Sequence, residues 1–179
     1  MNRHKHHFVA GVFGNEDRAF TVVEDMIEHD FPMDQVSVLH RAGGQGDDVL
    51  GIAYSDEKER FKVWGTQGAL WGALGGLLAG TAGLVLLPGV GPLLIAGPIV
   101  DAIAGAITGA GLMTGGAAVT HVTIGLRRMG IPEEYLETLH DAIMEGKTVL
   151  IFNSGDDNPE VWRQKLAWQG AEPVLVMQS

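Results

Sequence analysis

From position 63 to position 126 the chain carries one formal charge, that of Asp101, and no other Asp, Glu, Lys or Arg. A run of this length has to be kept from water, since a helix that spans a bilayer needs only roughly 20 apolar residues. The stretch "LLPGVGPLL", positions 86–94, divides it. Pro88 and Pro92 lack backbone donors and bracket Gly89 and Gly91, so the stretch predicts a hairpin turn between two apolar helical arms. The first arm, positions 65–87, extends about 34 Å at 1.5 Å per residue, close to the thickness of a bilayer core. The second arm covers 92–126, with a kink expected at Pro98.

Glycine is placed along these arms at helical intervals. "GALWGALGGLLAG" sets Gly68, Gly72, Gly76 and Gly80 one turn apart, and Gly97, Asp101, Gly105 and Gly109 repeat the interval in the second arm. A glycine costs an exposed helix about 1 kcal/mol relative to alanine. Four in register therefore predict a second helix close to the backbone, the small-xxx-small arrangement of helices in lipid. These seven glycines are the expected oligomerisation surface, with the chain itself and membrane lipid as partners. Asp101 shares their stripe, about 14 Å along a straight helix from the turn. It is the expected buried acid of functional interest, because an ionised carboxylate in lipid is costly. A proton or cation role is one reading. A hydrogen-bonded acid at a helix contact, or one exposed at a shallow hairpin tip, is the simpler one.

The charge lies on either side of the apolar run. Seven basic face twelve acidic residues over positions 1–62, and five face nine over 127–179, for a net charge of -10. Such acidity argues against sequence-independent nucleic-acid binding, which depends on a basic surface. Basic residues nonetheless flank the run directly: Lys58, Arg60 and Lys62 precede it, and Arg127 and Arg128 follow it. The positive-inside rule then places both ends, and both termini, on the cytoplasmic side of an inner membrane, with Trp64 and Trp71 near the start of the first arm. The chain has no cysteine, which excludes disulfides, thiol chemistry and cysteine-ligated metals. The opening "MNRHKHHFVAGVF" places too short an apolar run after its basic residues for a signal peptide.

The two flanks share one pattern: apolar strand, polar loop, amphipathic helix, turn, apolar strand. In the first flank Ala19, Phe20, Val23, Met26 and Ile27 repeat with helical spacing after Asn15 as N-cap. In the second, Asn158 caps and Pro159 takes the first helical position, with Val161, Trp162, Leu166 and Trp168 expected inward. Two such βαβ units on one sheet make an α+β, ferredoxin-like sandwich. A further helix begins at Pro132, buries Leu136, Leu139, Ile143 and Met144, and ends at Gly146. The expected organisation is a first βαβ half with its linker over 1–62, the glycine-rich helical hairpin over 63–128, and the helix with the second half over 129–179.

Three stretches in order, "VFGNEDRAFTVVEDMIEHDFPMDQVSVL", "PGVGPLLIAGPI" and "GLRRMGIPEEYLETLHDAIMEGKTVLIF", resemble the bacterial general stress protein 17M-like (heat-induced stress protein) family. The resemblance runs over nearly the whole chain. It implies an association with stress, membrane association, and no established catalytic activity. Where the family has small residues in the second arm this chain has Asp101, a departure that bears on simple lipid burial there.

Other candidates carry less chemistry. His121 lies about 200° around an ideal helix from Asp101 and shares no face with it. His4, His6 and His7 chelate metals only if the tail fixes their geometry, and no acidic ligand is near. "GVFGNEDR" lacks the glycine spacing and lysine of a phosphate loop, and "AGGQG" reads as a linker. No nucleophile-elbow or metal-helix spacing occurs, so neither a catalytic residue nor a cofactor or metal site is expected. Gly11, Gly14 and Asn15 end the first strand, where a small ligand between subunits is conceivable by fold analogy. The resulting expectation is a non-enzymatic, stress-associated protein that inserts a glycine-zipper hairpin and self-associates. Two alternatives stand beside it: a soluble homo-oligomer with the hairpins packed in a protein core, and a regulatory domain that senses a small molecule.

Overall fold

The computed structural model of the protein describes residues 7–41, 82–87, 91–109, 121–155 and 158–178. In chain order they form β1 (His7–Phe13), α1 (Glu16–Glu28), a 3-10 turn (Met33–Gln35), β2 (Val36–Arg41), β3 (Ala82–Leu87) and β4 (Gly91–Ala96). There follow α2 (Ile99–Gly109), α3 (His121–Arg128), α4 (Glu133–Met144), β5 (Thr148–Asn153), α5 (Pro159–Trp168) and β6 (Val174–Gln178).

The strands make one six-stranded sheet in the order β3-β4-β2-β5-β1-β6, with every neighbouring pair antiparallel. Its last four strands come from the two flanks, and their order is compatible with the ferredoxin-like α+β fold expected from two βαβ units. Local chemistry explains the helices of these units. Asn15 accepts the amide of Asp17 at 2.8 Å and so caps α1; Asn158 accepts that of Glu160 at 3.0 Å and caps α5. Pro159 starts α5, where its missing donor costs nothing.

Both faces of the sheet are covered, which is why β1 and β5 are apolar without alternation. On one face Val9, Phe13, Leu150 and Phe152 pack with Phe20, Val23 and Met26 of α1 and Leu166 of α5. On the other, Ala10, Val12, Val149 and Ile151 pack with Ile99 and Ile103 of α2, Val122 and Leu126 of α3, and Leu139 and Ile143 of α4. Ile27 is only partly buried, and α5 turns less of itself inward than expected. Leu166 is buried and Trp162 partly so, whereas Val161 and Trp168 are 62% and 91% exposed.

The expected helical hairpin is corrected here. Residues 82–87 and 91–96 are strands, paired to each other from Ala82↔Ala96 to Leu87↔Gly91, so the parts of both arms next to the turn are β-structure that belongs to the sheet; positions 65–81 of the first arm lie outside the described residues. Gly91 and Pro92 lie within β4; Pro88 and Gly89 lie outside the described residues. Pro92 is the second residue of β4, opposite Leu86 of the edge strand β3 and one residue before the ladder between β2 and β4 begins at Leu93↔Arg41, a place near a strand's start and edge where sheets admit proline. A continuous apolar run of six has no period that separates strand from helix, and the flanking Gly and Pro favour the strand.

The chain leaves β4 through Gly97, whose φ of +87 only glycine adopts readily, and a side chain there would land on the Val36 carbonyl oxygen. Gly97 therefore sits outside α2 and off the expected stripe of Asp101, Gly105 and Gly109. Helix α2 then begins with the Ile99 amide donating to the buried Ser37 hydroxyl at 3.2 Å. It packs on α3 at close range: a Cβ on Gly125 would lie 2.6 Å from Ile103 Cγ1.

Strands β2 and β3 run in the same direction with β4 between them, and Ala82 stands level with Val38 through Ala96. Residues 42–81 therefore leave one strand of the sheet and return to another.

Candidate functional site

A polar cluster lies where β1 hands over to α1. The register pairs Phe13 with Thr148 and His40 with Thr148, which brings the ends of β1 and β2 together on the start of β5. Val36, Val38 and His40 alternate onto the face covered by α1, as do Leu150 and Thr148. His40 thus meets two partners. Its Nδ1 lies 3.1 Å from Thr148 Oγ1, and its Nε2 lies 3.5 Å from Glu16 Oε2 in the first turn of α1.

The protonation that suits this arrangement follows from the partners. A carboxylate only accepts, so Nε2 carries the proton that faces Glu16; in the neutral ring Nδ1 is then an acceptor, and the Thr148 hydroxyl donates to it. Hydroxyl, imidazole and carboxylate occur in the order of a nucleophilic triad, but the accessibility is reversed. Thr148 is 1% exposed, whereas the side chains of His40 and Glu16 retain 14% and 21%. A nucleophile has to reach its substrate, so the innermost hydroxyl serves to orient the imidazole, and the group presented outward is the His40–Glu16 pair.

The residues expected to carry function fall in several places. Gly14, beside this cluster, has no atom within 4 Å of where a side chain would begin, and Asn15 is engaged as the cap of α1. Gly11 is enclosed, since a Cβ there would lie 3.1 Å from Phe13 and 3.3 Å from Ala171 and Leu166. Asp101 is exposed in the first turn of α2, which corrects the expectation of a buried acid: this helix turns Ile99 and Ile103 inward and leaves its acidic position to solvent. Gly105 meets Arg128 of α3 in the same chain, and Gly109 ends α2. Gly68, Gly72, Gly76 and Gly80, with His4 and His6, lie outside the described residues. His7 opens β1 and His121 opens α3; the Nδ1 of each is buried without a hydrogen-bond partner among the described residues.

Among the described residues no group of three or more His, Asp or Glu is placed to hold a metal. Among them, too, no helix is long and apolar enough to cross a membrane. The His40–Thr148 contact joins positions 108 apart and becomes visible only once the strand register is known.

No family model matches the chain, and neither the curated proteins nor the solved structures contain a significant match.

Proposed function

We propose that the protein is a non-enzymatic, stress-associated module that attaches to the cytoplasmic face of a membrane and self-associates, and that it is a relative of the general stress protein 17M-like family. The observation that carries this reading is the placement of "VWGTQGALWGALGGLLAGT", nineteen residues without a charge at 63–81, in the connection between two strands of one sheet. Helices α2 and α3 use their glycines on each other, at Gly105 and Gly125. The register of Gly68, Gly72, Gly76 and Gly80 is left for a contact of another kind, a second copy of the same segment.

The geometry narrows the form of attachment. Two crossings of a bilayer need roughly 40 apolar residues, and a single crossing would separate Arg41 from Ala82, which belong to one sheet. The segment therefore dips into the membrane and returns, replacing the two-span hairpin. This mode of attachment resembles an interfacial anchor more than a span.

The test is alkaline carbonate washing of membranes that contain the full chain, followed by sizing without detergent. Retention in the pellet is the expected result, and Gly72→Leu with Gly76→Leu should dissociate the oligomer recovered in detergent while the thermal midpoint of the α/β body stays unchanged. A particle of high mass that is soluble without detergent would instead mean that the segments pack protein on protein.

A further inference from the structure

A cleft of about 370 Å³ lies between α3 and α4, lined by Thr123, Ile124, Arg127, Arg128, Glu133 and Leu136. Its wall is mixed: half-buried Ile124 offers most of the apolar surface, Leu136 is only 5% exposed beneath it, and the side chains of Thr123, Arg127, Arg128 and Glu133 complete the lining. The two arginines are held differently. The Arg128 guanidinium lies across α2 where Gly105 has no side chain, and a Cβ at that glycine would stand 2.5 Å from Arg128 Nη1. Arg127 Nη2 stands 3.9 Å from Glu133 Oε2, with the two side chains 67% and 80% exposed. So exposed and long a pair is screened and weak, and it opens to a better acceptor.

The chemistry of the lining selects the ligand. Planar guanidinium forks match the oxygens of a phosphate, to which they bond in charge-assisted fashion. A neutral apolar ligand would leave the arginines unused, and a small mineral anion would leave Ile124 facing water. We propose that this cleft binds the phosphate headgroup and adjoining acyl carbons of an anionic phospholipid. The inference rests on the membrane reading above. It gives the basic pair that follows the apolar run a structural role, holding the body against an anionic surface while the segment at 63–81 enters it.

The experiment titrates monomeric dihexanoyl phosphatidylglycerol, below its micellar concentration, into the full chain, followed by calorimetry and by amide chemical shifts. Dihexanoyl phosphatidylcholine and inorganic phosphate are titrated in parallel. The expected result is binding of the phosphatidylglycerol alone, weakened about tenfold or more by Arg127→Gln with Arg128→Gln, as removal of charge-assisted hydrogen bonds requires. Both side chains are exposed, so the variant keeps its thermal midpoint; Ile124→Ala, at a half-buried position, weakens the lipid without changing the response to salt. Equal affinity for phosphatidylcholine, or unchanged affinity in the arginine variant, overturns the proposal. Inorganic phosphate bound as tightly as the lipid overturns it too and assigns the cleft to a soluble anion. A monomeric lipid needs no bilayer, so failure of this titration in a protein that resists carbonate washing removes the cleft and leaves the membrane attachment standing. Release by carbonate has the opposite meaning.

Discussion

The two faces of the sheet are covered by different means. Over the face of α1 and α5, bulk fills the space: Phe31, Phe152 and Trp162 meet edge to face with centroids 5.1 to 5.4 Å apart, and Lys165 stands over the Trp162 ring. Over the face of α2, α3 and α4 the buried cluster is aliphatic, and glycine does the fitting. Gly125 lets Ile103 approach and Gly105 admits the arm of Arg128. Both faces are therefore sensitive to lost volume, and the second is sensitive to added volume as well.

Substitutions on each face test that contrast, and two at helix starts give its scale. The largest effect is expected from Phe152→Ala, which removes a fully buried ring from the centre of the aromatic trio. It should destabilise by about 3–5 kcal/mol, the usual range for such truncations, seen as a lower denaturant midpoint with a slope little changed. On the opposite face Gly125→Ala adds one methyl 2.6 Å from Ile103 Cγ1 and 3.4 Å from its backbone nitrogen. A cost of about 1–3 kcal/mol is expected, and a double-mutant cycle should show it reduced in an Ile103→Ala background, where Cγ1 is gone. If the cycle shows no coupling, the glycine is not there for that contact. A smaller effect belongs to Asn158→Ala at the start of α5, about 1 kcal/mol, because one amide loses its cap. Helix α4 begins at Pro132 without a side-chain cap, so Pro132→Ala should move the thermal midpoint less than Asn158→Ala does.

How legible these layers are in the sequence depends on whether a local rule decides them. Helices α1 and α5 with their caps, and α4 from Pro132 to Gly146, are readable because periodicity, proline and asparagine all point the same way. Trp168 misleads because its apolar character outweighs its angle in a local reading. It stands about 200° from Leu166 on a helical wheel, on the side away from the core. Strands β3 and β4 are illegible for another reason. "AGLVLL" and "GPLLIA" are apolar at nearly every position, and a segment without polar residues has no polar stripe to reveal its period. The expectation for Asp101 falls with them, since its depth depends on a turn between helices that are in fact strands. The His40–Thr148–Glu16 cluster is hidden for a third reason: its partners are joined by register, which no local rule contains.

The parallel course of β2 and β3 has a consequence for what this body can carry. Both attachment points of the forty-residue connection are fixed in one sheet, on strands two spacings apart, or about 10 Å. The entropy of closing so long a loop rises only logarithmically with its length, about 0.6 kcal/mol for each doubling. The sheet is in this sense a socket with two fixed contacts. Passengers of very different length and solubility can be fitted between them at almost constant cost to the fold that holds them.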